Sequence, residues 1–443
     1  MKKSNWFELR KIIEILVIAC ILVISYWATG GIKKSADTDV YLQFLDWVPP
    51  VYPVFIRIIS FIAPQHYEIL AFVLQAMLAI YATVYATDVF CRHYGIDRFR
   101  VLVMLCVLVT YFKADEHGTS ASAWLMTEGL AYSMFIILAA NMVSYYFTLN
   151  RAYFIRILID VTLLTLCRSQ FAELYIIIAI YLVIIALVKE YSIKRNALIV
   201  VGIIASALIW MVGQKIYEQN AVPDRVHSYG KSQVTSHLLY YMEDGDLEEI
   251  ADAKVKVHMM DIYTDMKQAG MSYADRPDDW LGTAEHYKEA ANYNRMMMMK
   301  KNKAYFGDEY TDLAESELLD VEKSVLAKYY VKWIGVSLLQ LPISVSRSIS
   351  LYYPPLGILF LIANTILLVV YLGLNILEIR KKGSIQPENV MCMLILMLVV
   401  GNAIGTGFLI RSITRYLAYP FGIFYVSFLI VLVKYVEEIK RAN

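Results

Sequence analysis

Long apolar runs, broken by short charged connections, set the pattern of this chain. Runs recur at 11–28, 68–90, 99–112, 124–147, 153–168, 170–188, 197–213, 355–377, 389–410 and 417–436. Most have the length a helix needs to cross a hydrocarbon core of ~30 Å. Backbone groups in lipid must be paired within the segment or in a closed barrel. These runs lack the period-two alternation of a barrel strand. The pattern predicts an all-α, polytopic membrane protein of about ten transmembrane helices. The 99–112 and 153–168 runs are short, so they tilt or stop partway.

Two stretches interrupt the pattern. Residues 214–325 hold 22 of the 40 acidic residues against 13 Lys and Arg, and are rich in Tyr, Met and Asp. Good helix formers dominate at 246–269 and 284–303, which predicts helices there. The run Met296 to Met299, with Lys300 and Lys301 behind it, reads as an amphipathic surface stripe. The stretch exceeds what a connecting loop needs and is expected to form a small extracytoplasmic helical insertion. Residues 326–350 are apolar enough to touch lipid. A full crossing there would break the charge parity of the chain, so an interfacial or re-entrant helix on the outer face is expected. A similar outer-face elbow is expected around Trp47 to Arg57, where aromatic residues and prolines gather. The organisation is then 1–213, an N-terminal transmembrane module with the outer loops; 214–325, the insertion; and 326–443, the interfacial helix and C-terminal spans.

Charge sets the orientation. Lys2, Lys3, Arg10 and Lys11 precede the first run. Arg92, Arg98 and Arg100, then Arg151 and Arg156, then Lys189, Lys194 and Arg195, then Arg380 to Lys382, and finally Lys434, Lys440 and Arg441 fall on the same side when ten spans are counted. Basic connections stay in the cytoplasm. Both termini are therefore expected there, in a plasma (inner) membrane, with the Asp37 loop, the Lys113–Thr119 loop and the insertion outside. The retained first span, with Tyr26-Trp27 where a cleavage site would want small residues, does not read as a signal peptide. With 58% hydrophobic and 18% charged residues and a mean hydropathy of +0.50, an ordinary soluble domain is excluded. A net charge of +1 implies no bulk attraction to nucleic acid. The five cysteines are scattered through apolar segments and read neither as a disulfide framework nor as a metal cluster.

Candidate chemistry gathers at the predicted outer ends. Asp37 and Asp39 follow the first span in D-T-D-V-Y-L. A carboxylate just outside lipid suits a general base or a ligand for a divalent ion; the competing reading is a hydrated loop carboxylate. In an extended loop the two would point opposite ways, so one of them faces a shared pocket. Lys113, Asp115, Glu116 and His117 form the second outer loop. Glu128, in T-E-G-L-A-Y, starts a span at apolar depth, where a charge needs a reason. Arg168 and Glu173, in C-R-S-Q-F-A-E, form a candidate Arg–Glu pair. Arg411 and Arg415 are i and i+4 in L-I-R-S-I-T-R-Y-L-A-Y-P. On a helix they share a face, and paired guanidiniums suit a phosphate or pyrophosphate.

The order of D-T-D-V-Y-L and P-P-V-Y-P in the first outer loop, T-E-G-L-A-Y at a later span start, and R-Y-L-A-Y-P near the end resembles the GT-C superfamily of membrane glycosyltransferases. The resemblance covers the organisation of the chain rather than continuous sequence. It implies a GT-C-like fold and an inverting transfer of a sugar from a polyprenyl-phosphate-linked donor to a glycan or lipid-linked acceptor on the extracytoplasmic face, by a monomer surrounded by membrane lipids. Asp37 matches the catalytic first-loop Asp, with Asp39 beside it. Arg411 and Arg415, with Tyr416, would hold the lipid phosphate, and Tyr41, Lys113, Glu128 and Arg168 complete the substrate-binding set. Asp115 or Glu116 matches a second-loop acidic position, and a divalent metal there, magnesium or manganese, is left open because K-A-D-E-H-G departs from the family pattern. Two other classes compete. A polysaccharide polymerase or O-antigen-ligase-type enzyme would use loop residues such as Arg225, His227, Arg276, His286 and Arg295 in place of Asp37. A lipid or solute transporter would carry broken helices and midplane charges.

Overall fold

The computed structural model describes residues 2–42, 48–113, 119–189, 193–221, 229–306, 320–350, 356–409 and 414–442. They are helical, with no strand among them and one isolated bridge, Lys33 to Trp124. The chain is an all-α polytopic membrane protein. Seven helices among the described residues are long and apolar enough to cross a membrane.

The helices α1 (Lys2–Ala28), α2 (Ala36–Leu42), α3 (Val51–Ile62), α4 (Tyr67–Tyr94) and α5 (Arg100–Val109) open the bundle. Then come α6 (Glu128–Thr148), α7 (Arg151–Cys167), α8 (Leu174–Val188) and α9 (Ile193–Ala221). Three predicted spans have helices that fall outside the group of seven. The 99–112 run yields only the 10 residues of α5. The 153–168 run yields the 17 residues of α7. The last run forms a helix of 22 residues, Phe421–Ala442, that ends in K-Y-V-E-E-I-K-R-A.

Ion pairs sort the helix ends into two sets. At one end Lys11 meets Asp88 at 2.8 Å, Arg100 grips Glu14 and Asp88, and Arg98 meets Glu437 at 2.7 Å. The start of α1, the end of α4 and the last helix therefore lie together. The opposite end of α4 carries Glu68 against Lys34. The same end holds the start of α6 and the end of α7.

The four helices α10 (Tyr229–Leu239), α11 (Ala253–Gln268), α12 (Trp280–Phe306) and α13 (Tyr330–Leu339) build a second hydrophobic core, separate from that of the bundle. Asp252 caps α11 by accepting from the Lys254 and Val255 N–H groups. Met297 and Met298 are buried in this core while Met296 is exposed, so the expected surface stripe holds for Met296 and not for the two that follow it. The helix turns that face inward, while Lys301 reaches Asp261 and Asp265 at 2.8 Å. The ambiguous 326–350 stretch resolves into α13 and α14 (Leu341–Ile349), 10 and 9 residues long and each too short to cross. Val331, Ile334 and Leu338 form an exposed apolar stripe on α13. Arg347 of α14, itself buried, bonds Glu285 of α12 at 2.8 Å and ties this unit to the bundle.

The remaining helices are α15 (Gly357–Lys382), α16 (Pro387–Leu409), α17 (Thr414–Leu417) and α18 (Phe421–Ala442). Near the candidate site α4 and α6 approach closely. A Cβ on Gly129 would sit 2.3 Å from Gln75 Oε1, so only glycine lets the two helices meet there. The Gln75 amide donates to the Ser122 and Trp124 carbonyls and accepts from Tyr52. One buried side chain thus satisfies α3, α4 and the lead-in to α6.

Candidate functional site

The chain leaves α1 through Gly30 and Gly31, whose φ of 82° and 89° favour glycine. The turn brings Lys33 alongside Trp124. Lys33 N–H donates to the Ala123 carbonyl at 2.9 Å, and Leu125 N–H donates to the Lys33 carbonyl at 3.0 Å. Ser35 Oγ accepts from Asp37 N–H, and Thr38 Oγ1 donates to the Leu125 carbonyl. The first outer loop is thereby stitched to the segment that enters α6. Asp37 and Asp39 lie on a short helix rather than an extended loop. Residues two apart still diverge, by about 200° on a helix. Asp37 turns toward the bundle and Asp39 is exposed.

Four charged residues from four parts of the chain meet here. Glu128 Oε1 lies 2.7 Å from Arg168 Nη1 and 3.5 Å from Arg415 Nε. Arg415 Nη2 lies 3.5 Å from Asp37 Oδ2. Arg168 Nη1 also donates to Thr127 Oγ1 and to Tyr419 OH, both at 3.2 Å. Tyr416 serves both guanidiniums. Its ring lies 4.0 Å under Arg168, and its hydroxyl accepts from Arg415 Nη2 at 2.9 Å. The Tyr416 carbonyl is held by Asn402 at 2.9 Å, and the Arg415 carbonyl by Tyr132. Burial works against the Arg415 charge, but Glu128 and Tyr416 outweigh it, so the guanidinium stays firmly protonated. Within this cluster two carboxylates balance two guanidiniums.

The other expected residues distribute unevenly. Tyr41 is buried beside the cluster, edge-on to Tyr52 at 4.9 Å. Burial and then Glu128 push its phenol pKa up, so it remains a neutral hydroxyl. Lys113 is not brought to Arg415. Its ammonium donates to the Arg347 and Ser350 carbonyls at the end of α14 and lies 4.2 Å over the Phe421 ring. Burial, and then Arg347, push its pKa well below that of a free lysine. The expected Arg168–Glu173 pair does not form. Arg168 is extended at φ −159°, and a 3₁₀ turn over Ser169–Glu173 carries Glu173 toward Gly405 instead. Arg411, Asp115, Glu116 and His117 lie outside the described residues, as do Arg225 and His227. In the insertion, His286 is held between Tyr240 OH and the Gly270 carbonyl, both at 2.9 Å. Arg276 stacks on Tyr273 at 3.8 Å.

Thr127, Asn402 and Tyr419 belong to the cluster and were not singled out as site residues from the sequence. Thr127 and Tyr419 sit inside the two motifs that were quoted, so their position was the available signal. Asn402 lies in an apolar run, and its polarity there was the only signal. Among the described residues no three His, Cys, Asp or Glu side chains converge on a point where a metal ion would bind.

Fold and site together define a helical membrane protein with a cluster, at one end of its bundle, in which two carboxylates and two guanidiniums balance among the described residues. Comparison of the chain with protein-family models, with curated proteins and with solved structures finds no match.

Proposed function

We propose that this chain is a GT-C-type membrane glycosyltransferase. It moves a sugar from a polyprenyl-phosphate-linked donor to a glycan or lipid-linked acceptor on the extracytoplasmic face. In this reading the chain crosses the membrane ten times, the 99–112 run crossing as α5 together with the 3₁₀ turns Asp97–Phe99 and Thr110–Phe112 that continue it at either end. The basic end of the bundle, with both termini, faces the cytoplasm, and the Asp37 end faces out.

The observation that carries the reading is the 3.5 Å approach of Asp37 to Arg415. A first-loop carboxylate and a late arginine share one partly exposed place at a helix end. Arg168 and Arg415 hold the donor phosphate there, and the low local dielectric strengthens those contacts. Asp37 takes the proton of the acceptor hydroxyl. The hydroxyl oxygen bonds to the anomeric carbon, the bond from that carbon to the phosphate oxygen breaks, and polyprenyl phosphate leaves with the electron pair. The configuration inverts, and Asp37 returns its proton to water.

The test is reconstitution in liposomes with a panel of polyprenyl-phosphate sugars, with and without chelator, comparing wild type with Asp37→Ala. Sugar transfer by the wild type that the variant loses supports the reading. Transfer that survives the substitution points to the polymerase or ligase class, and uptake of a solute or lipid without transfer points to transport.

A further inference from the structure

We infer that Asp37 and an anionic ligand compete for Arg415, with Glu128 as the permanent counter-ion, so that ligand binding itself unmasks Asp37. The inference rests on the phosphate-holding role proposed above and adds to it a mechanism for exposing the base.

Burial is asymmetric across the cluster. The Glu128 side chain is 0% exposed and Arg168 13%, whereas Arg415 is 21% and Asp37 35% exposed. Glu128 contacts both guanidiniums, at 2.7 Å and 3.5 Å. Were it to lose them, it would be left charged with no water to replace them, the costly case for a buried ion. Asp37 loses far less, because water reaches its carboxylate. At 3.5 Å both carboxylates lie equally far from Arg415, so burial and not distance separates them, and partly exposed pairs of this kind are weak. An incoming phosphate that needs Arg415 therefore displaces Asp37 and leaves Glu128 in place.

Two features make the exchange local. Tyr416 keeps its hydroxyl on Arg415 Nη2, and the other terminal nitrogen, Nη1, meets among the described residues only Met126 Sδ at 3.6 Å. Thioether sulfur is a weak acceptor, so that nitrogen has donor capacity to offer an oxyanion. The guanidinium can pivot from Asp37 to a ligand without leaving Glu128. Asp37, once released, keeps its backbone position through Ser35 and Thr38. In the unliganded protein Arg415 holds the base in an ion pair, which also restrains wasteful attack by water.

The experiment uses the full chain in detergent and calorimetric binding of two probes, farnesyl phosphate and inorganic phosphate. Variants are Asp37→Asn, Asp39→Asn and Arg415→Ala, each checked by thermal unfolding. Asp37→Asn and Asp39→Asn remove the same charge two residues apart, but only Asp37 touches Arg415. Competition predicts roughly 2- to 5-fold tighter farnesyl phosphate binding by Asp37→Asn, from loss of a weak competing pair. Asp39→Asn changes affinity less than about twofold, through screened charge alone. Arg415→Ala loses binding. Equal or weaker binding by Asp37→Asn overturns the inference while leaving the phosphate site standing. Equal tightening by both Asn variants overturns it in favour of a bulk charge effect. Failure of every variant and of wild type to bind either probe removes the proposed phosphate site and the inference together. Binding of inorganic phosphate as tight as that of farnesyl phosphate, with the same Asp37 effect, supports the exchange and assigns the site to the phosphate group rather than to the lipid tail.

Discussion

Glu128 Oε1 lies 2.7 Å from Arg168 Nη1, a buried ion pair that joins the first residue of α6 to the residue that follows α7. Glu128 also approaches Arg415, so it separates two guanidiniums that would otherwise repel. Glu128→Gln is expected to lower stability by roughly 3–5 kcal/mol, the cost of leaving buried charge unpaired. Thermal unfolding in detergent measures it, and an unchanged midpoint would show that the pair is dispensable.

Asp37→Ala is expected to abolish transfer while leaving the fold intact. A general base contributes about 10²–10⁴-fold to rate, and the partly exposed contact with Arg415 contributes little stability, about 0–1 kcal/mol. The measurement is turnover beside a melting curve. Full activity in the variant would remove Asp37 from the chemistry.

Gly129→Ala forces a Cβ into the space of the Gln75 amide. Three hydrogen bonds of Gln75 tie α3, α4 and the α6 lead-in, so the whole corner shifts. Overpacking of this kind costs about 1–3 kcal/mol. A melting point equal to wild type would mean that the Gln75 side chain has another place to go.

The insertion is expected to lose stability in acid. Burial would raise Asp246, but Lys328, Tyr329 and the Glu243 N–H outweigh it and hold its carboxyl below the usual carboxylate range. Glu285 is likewise held down by Arg347 and Lys288 against its burial. A carboxylate depressed on folding stabilises above its unfolded pKa, near 4, and that stability is lost as pH falls through the folded value. Lys328 is raised, chiefly by Asp246, and its share is lost only as pH rises above the ordinary lysine value near 10.5. Unfolding midpoints should therefore be flat near neutrality and fall below about pH 4. In Asp246→Asn the acid fall should be shallower, and an identical acid limb would exclude Asp246 as its source.

Helix α3 exposes Val54, Ile58, Phe61 and Ile62 on one face and buries Tyr52, Ile56 and Ile59 on the other. At 12 residues it cannot cross a bilayer. An apolar stripe of this spacing suits a helix lying in the interface. A tryptophan introduced as Phe61→Trp should be quenched by brominated lipid in vesicles and shielded from iodide. The reverse pattern would place α3 in water.

Aromatic residues and prolines mark the α3 region, and charge parity marks 326–350, as elements that do not span, and the short lengths of α3 and α13 agree. That Met297 and Met298 point inward while Met296 stays exposed is not legible in the sequence. Four adjacent methionines occupy all faces of a helix, and only the neighbouring helices decide which face is covered. Proximity in the chain suggests a pairing of Arg168 with Glu173. A 3₁₀ turn, which proximity does not reveal, sends the two apart.

Run length and residue polarity were enough, without coordinates, to establish an all-helical membrane protein and to pick out Asp37, Glu128, Arg168 and Arg415 as charges in need of a reason. Those are local properties, since solvation of a segment depends on its own side chains. Which charge faces which was decided by packing alone. Arg168 meets Glu128, and Asp37 meets Arg415, because Gly129 admits Gln75 between α3, α4 and α6 and because the Lys33 bridge pulls the first loop onto the start of α6. Contacts between distant parts of a chain depend on the rotation and depth of each helix, and one residue's rotation, about 100° on a helix, is enough to change every partner.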